Sequence, residues 1–109
     1  MAQFRVAKES EIPDGRGLRV RVGRVEIGLY RVDGEIFAME DLCPHAGYPL
    51  HEGDLDGPVV TCPQHLWQFD VRTGMHPGES DGWPIPCFPI RVVDGEVWID
   101  VQLPDEDPT

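Results

Sequence analysis

Residues 25–39 read VEIGLYRVDGEIFAM, and this stretch decides the fold class. Two β-rich runs, Val25–Val32 and Glu35–Met39, are separated only by Asp33-Gly34. Glycine accepts the positive φ that a primed two-residue turn demands, so the stretch predicts an antiparallel hairpin. The signal recurs at Asp94-Gly95, between the runs Phe88–Val93 and Glu96–Val101. Gly23-Arg24 and Thr73-Gly74 are weaker versions of it.

Outward from these hairpins, Gln3–Ala7, Leu18–Val22, Val59–Thr61 and Trp67–Val71 are also short and β-rich. Eleven prolines and twelve glycines cut the chain into pieces, and no stretch sustains an apolar helical period for three turns. The expectation is an all-β fold, an antiparallel sandwich or small barrel. A chain of 109 residues fits one domain, 1–109, that can fold without disulfides. Residues 104–109, PDEDPT, read as a frayed acidic tail.

Charge and targeting signals narrow the function. The net charge of −11 argues against nucleic acid, because phosphate binding needs a basic surface. The charge is unevenly placed: residues 1–31 carry a net +3 and residues 32–109 a net −14. Such a negative face suits either solubility or steering toward a basic partner. The start, MAQFRVAKES, has no apolar leader core, and no run approaches 18 apolar residues. The expectation is a cytoplasmic protein with no membrane contact.

Two segments break the strand pattern. Asp41–Asp54 and Cys62–His65 hold Cys, His and Pro where hairpins hold only turn formers. The pattern is Cys43-Pro44-His45, sixteen residues, then Cys62-Pro63-Gln64-His65. The odd total of three cysteines suits metal ligation better than a disulfide framework. Zinc, iron–sulfur and copper all accept thiolate and imidazole ligands. Spacing helps: zinc pairs usually sit two to four residues apart, like with like. The one-residue gap in Cys43-x-His45 is tight for one tetrahedral ion and comfortable for two loops straddling a two-iron core.

At this point the sequence resembles the Rieske family. CPHAGYPL (43–50) followed by CPQHLWQFD (62–70) matches that family's two-loop motif. SEIPDGRG near the start and PIRVVDGEVWIDV near the end extend the likeness to small Rieske-type ferredoxins. The resemblance implies a cluster-binding subdomain of two loops, about 41–54 and 62–67, on a Rieske-type antiparallel β-sandwich or barrel. It implies one [2Fe–2S] cluster with Cys43 and Cys62 on the inner iron. His45 and His65 would bind the outer iron through Nδ1, with their far edges near the surface.

In that ligand set, two ferric ions, two sulfides and two thiolates sum to zero charge. Four thiolates would leave −2, so exchanging two for imidazoles raises the potential, to about −150 to +300 mV across the family. Rieske proteins of respiratory and photosynthetic complexes add a disulfide between the loops and a serine donor to a sulfur. Tyr48, Gln64 and Trp67 stand at the corresponding positions here, so the low-potential soluble branch is the better match.

The resemblance also implies partners: a flavin-containing NAD(P)H reductase as donor and a terminal oxygenase as acceptor. No substrate pocket or activating base is visible, so the protein is read as an electron carrier and not an enzyme. Trp67 and Phe69, in HLWQF, resemble the ferredoxins of toluene and alkene monooxygenases and favour a diiron hydroxylase over a Rieske dioxygenase. Competing readings are the small subunit of an assimilatory NAD(P)H nitrite reductase and a structural zinc module.

The remaining residues read as follows. Trp67 is either a core aromatic opening a strand or a docking contact. Glu52 and Asp54, with Glu40, Asp41 and Asp56, form an acidic surround for the cluster edge where partners dock. Pro44, Pro49 and Pro63 stiffen the loops, and Gly47 and Gly53 permit close approach or tight turning. Cys87 reads as a small buried hydrophobe. His51 and His76 have surface roles.

Overall fold

The computed structural model describes residues 2–43, 49–63, 67–77 and 85–101. Its strands are β1 (Ala2–Lys8), β2 (Leu18–Val22), β3 (Val25–Val32), β4 (Glu35–Glu40) and β5 (Leu55–Asp56). They continue with β6 (Val59–Thr61), β7 (Gln68–Asp70), β8 (Cys87–Phe88), β9 (Ile90–Val93) and β10 (Glu96–Val101). Every strand pairing is antiparallel, and the sheets are ordered β1-β10-β9, β2-β3-β4-β8 and β5-β6-β7. Among the described residues the only helical elements are 3-10 turns at Glu9–Glu11 and Leu50–Glu52, and none is long and apolar enough to cross a membrane. The expected antiparallel all-β class is what forms.

Both Asp-Gly hairpins form as the sequence predicts. Val32 pairs with Glu35 across Asp33 (φ 51°) and Gly34 (φ 82°), and Val93 with Glu96 across Asp94 (φ 52°) and Gly95 (φ 77°). Positive φ at both central positions is the primed geometry that follows strand twist.

The β3–β4 hairpin is buried on both faces because its side chains alternate between two cores. Ile27, Leu29, Ile36 and Ala38 enter one core with Val97, Ile99 and Val101 of β10. Tyr30, Val32 and Met39 enter a second core with Leu50, Leu55, Val60, Phe69 and Val71. A strand buried on both sides reads as a near-continuous apolar run, as VEIGLY does. This second core joins the third sheet, and the candidate site, to the framework.

Two strand boundaries depart from the sequence reading. The run Phe88–Val93 is two strands in different sheets: β8 pairs with β4 and β9 with β10. Pro89 lies at the break, where its missing N–H cannot extend a ladder. The strand β5 was not foreseen; it turns into β6 over Gly57-Pro58, and the Asp56-Gly57 dipeptide was the available signal. Thr73-Gly74 makes a tight turn, with the Gly74 N–H donating to the Asp70 carbonyl at 2.7 Å. No strand follows it through residue 77. Residues 104–109 lie outside the described residues.

Candidate metal centre

The chain leaves β4 at Glu40, and the Asp41 N–H donates to the Glu26 carbonyl at 2.9 Å. It then passes exposed Leu42 to Cys43, which is fully buried. From the other side, β6 ends at Thr61 and delivers Cys62, also fully buried. The two cysteines belong to one core, with Leu50, Val60 and Phe69. The Cys62 N–H donates to the Trp67 carbonyl at 2.7 Å and closes the second loop at its base. His45 and His65 lie outside the described residues, as do Pro44, Gly47, Tyr48 and Gln64.

The far end of the first loop is anchored beside the second. Pro49, at φ −64°, opens the 3-10 turn Leu50–Glu52, whose Leu50 is fully buried. The Gly53 N–H donates to the Leu50 carbonyl at 3.0 Å, and the Thr61 N–H to the Asp54 carbonyl at 3.0 Å. A Cβ on Gly53 would stand 1.8 Å from the Thr61 carbonyl oxygen, so only glycine permits this approach. The close neighbour is backbone one residue before Cys62.

Asp41 departs from its expected place on the acidic surround. It is fully buried, because three donors converge on its carboxylate. Arg19 Nε donates to Oδ2 at 2.6 Å, the His51 N–H to Oδ1 at 2.7 Å, and His51 Nδ1 lies 2.6 Å from Oδ2. The hydrogen bond to Asp41 is the main cause that holds the Arg19 guanidinium above its ordinary pKa. His51 is therefore tied inward by its backbone and ring instead of serving the surface. Glu52, Asp54 and Asp56 are exposed as expected, and Glu40 is half-buried.

Trp67 is 40% exposed just before β7, so it is not a core aromatic. Its ring meets His76 edge-on at 6.3 Å, and His76 Nδ1 donates to the Gln68 carbonyl at 2.8 Å. Leu42, at 45%, is an exposed apolar residue at the start of the first loop. Cys87 was expected to be buried but is exposed, because β8 is the short edge strand of its sheet. Its Sγ faces the Ile85 and Val71 carbonyls, and partial burial there pushes the thiol pKa up.

Two fully buried cysteines at loop bases fit the thiolate half of an iron–sulfur ligand set: the apolar core keeps water from the sulfurs. Among the described residues no three of His, Cys, Asp or Glu converge as a metal site; two of the four expected ligands lie outside them.

Residues 2–89 match the Rieske [2Fe-2S] domain. The chain is 38% identical over 91 residues to the biphenyl dioxygenase ferredoxin subunit of Pseudomonas sp. (strain KKS102), covering 83% of this chain and 84% of that one. Among solved structures, the Sphingomonas yanoikuyae B1 ferredoxin superimposes with TM-score 0.84 at 31% identity, over 93% of this chain and all of that one. A chain in the complex of reduced oxygenase and oxidized ferredoxin in carbazole 1,9a-dioxygenase gives TM-score 0.79 at 38% identity, covering 89% and 91%. The biphenyl and carbazole proteins belong to dioxygenase systems, and the expected diiron monooxygenase acceptor finds no support among them. The HLWQF signal behind it rests on Trp67, which is exposed, and on Phe69, which is buried in the second core. The family match likewise replaces the zinc reading with one Rieske [2Fe–2S] cluster. The chain belongs to the Rieske [2Fe–2S] family, as a ferredoxin that transfers electrons and is not itself an enzyme.

Proposed function

We propose that Cys43, His45, Cys62 and His65 hold the cluster, cysteines on the inner iron and histidines on the outer. In this reading residues 1–109 act as one cytoplasmic unit. It takes one electron at a time from a flavin-containing NAD(P)H reductase and delivers it to the Rieske oxygenase of an aromatic ring-hydroxylating dioxygenase. The observation that carries this is the pair of buried cysteines sharing one core at the bases of two loops. The likeness to ferredoxins of biphenyl and carbazole dioxygenases supports the acceptor.

When bound, the cluster supplies a centre that accepts and returns one electron. The chain's own part is to exclude water from the two thiolates and to present a docking rim. Exposed Leu42 and Trp67 offer apolar contact, while exposed Glu52 and Asp54 offer charge to a basic partner. The test is rapid-mixing reoxidation of the reduced protein by purified terminal components. Fast reoxidation by an aromatic-ring Rieske dioxygenase is expected; reoxidation by a diiron hydroxylase alone overturns the acceptor assignment.

A further inference from the structure

A fully buried carboxylate two residues from a cluster ligand is a fixed charge close to the redox centre. Two residues of chain span at most about 7 Å, so Asp41 is held within that reach of the Cys43 backbone. Its position is set from three sides: its own N–H binds the Glu26 carbonyl, Arg19 grips Oδ2 from β2, and His51 closes on both oxygens from the end of the first loop. Arg19 in turn lies 3.2 Å from Glu26, which also pairs with Arg21 at 2.7 Å. A line of alternating charge therefore runs from the edge strand β2 to the loop that carries Cys43.

We propose that Asp41 and Arg19 are positioning residues that set the reduction potential of the cluster by opposed charges. The inference rests on Cys43 being a ligand. Reduction adds one electron to a site that is neutral when oxidised, so the reduced site repels the Asp41 carboxylate and is stabilised by the Arg19 guanidinium. Burial keeps the local dielectric low and makes this charge more effective than one in water. The pair also joins the start of the first loop to its end, because Asp41 receives two donors from His51.

The test is a potentiometric titration of the holoprotein, followed by EPR, for Asp41→Asn, Arg19→Gln and the double variant. Asp41→Asn is expected to raise the potential and Arg19→Gln to lower it. Each should change the ratio of reduced to oxidised protein at fixed potential by roughly two- to tenfold, about 20–60 mV by the one-electron equivalence. The double variant is expected to return toward the parent. A purely structural pair would lower thermal stability and leave the potentials unmoved, or shift both the same way; either result overturns the proposal. Should Asp41→Asn fail to assemble its cluster, Arg19→Gln decides alone: it keeps the buried carboxylate, and an unchanged or raised potential overturns the proposal. Failure of the ligand assignment is separable, because a Cys43→Ser control would then keep the parent's EPR spectrum.

Discussion

Gly53 lies against the backbone of Thr61 so closely that a Cβ on it would stand 1.8 Å from the Thr61 carbonyl oxygen. The contact joins the end of the first loop to the residue before Cys62, and backbone on both sides leaves nothing flexible to give way. Gly53→Ala is expected to destabilise the protein by roughly 1–3 kcal/mol, the range for overpacking a close-packed interior. It should also lower the iron retained after purification. Chemical denaturation and an iron assay on the variant check both.

The ligand assignment makes a spectroscopic prediction. The purified protein should be red-brown with two irons and two acid-labile sulfides, and its reduced EPR spectrum should show the low average g of a His₂Cys₂ cluster. His45→Ala and His65→Ala should abolish or convert that spectrum. Cys87→Ser should leave it unchanged, since Cys87 is exposed on an edge strand. Loss of the spectrum in Cys87→Ser would contradict the assignment.

Docking at the rim predicts a salt dependence. Steering by Glu52 and Asp54 is screened over about 8–10 Å at physiological ionic strength. Transfer rates at limiting protein concentration should therefore fall several-fold between low and high salt. Glu52→Lys and Asp54→Lys should slow transfer at low salt and flatten that dependence. Trp67→Ala should slow transfer at every salt concentration, because it removes apolar contact and no charge. Stopped-flow kinetics with reductase and oxygenase separate the two effects.

A pH prediction comes from β7. Asp70 accepts Arg72 Nε at 3.0 Å, Arg72 Nη2 at 2.8 Å and the Arg72 N–H at 2.9 Å, chiefly through the side chain, and these hold its pKa below the ordinary carboxylate range. A carboxylate depressed in the folded state contributes stability above its unfolded pKa, about 4, and loses it as pH falls through the folded value. Asp70→Asn should thus melt below the parent at pH 7, with the gap closing as the pH drops under about 4. The gap is expected to be small because Arg72 is half exposed. Melting curves across pH 2–7 read it directly.

Most of the fold was legible because Asp-Gly turns and period-two runs are local signals. The turns at Asp33-Gly34 and Asp94-Gly95 specify their hairpins within a dozen residues. The break at Pro89 was harder to read, because the flanking residues have equal β-propensity and only tertiary pairing sends them to different sheets. The Cys-x-His and Cys-x-x-His spacing singles out Cys43 and Cys62 as the proposed thiolate ligands, and both are fully buried. Asp41 was misplaced for a physical reason: an acidic residue in a loop reads as solvent-facing unless its donors are known. Arg19 and His51 lie 22 and 10 residues away in sequence. Cys87 was misread the opposite way, since cysteine composition favours burial but a two-residue edge strand leaves it open.

The pairing of β1 with β10 sets an order on folding. Ala2 faces Val101, so these strands enclose nearly the whole described chain, whereas β3 and β4 meet across two residues. Closing so long a loop costs more chain entropy than closing a hairpin, and that cost is met only once other contacts have shortened the effective loop. The β3–β4 hairpin, which borders both cores, can form early and act as a template for each. During synthesis β1 must wait for β10, the last strand described, before its ladder can form. Its Phe4, which packs on the first core, remains without its β10 partner Ile99 until then. Pulse-labelled hydrogen exchange should find the amides of β3 and β4 protected first and those of β1 among the last.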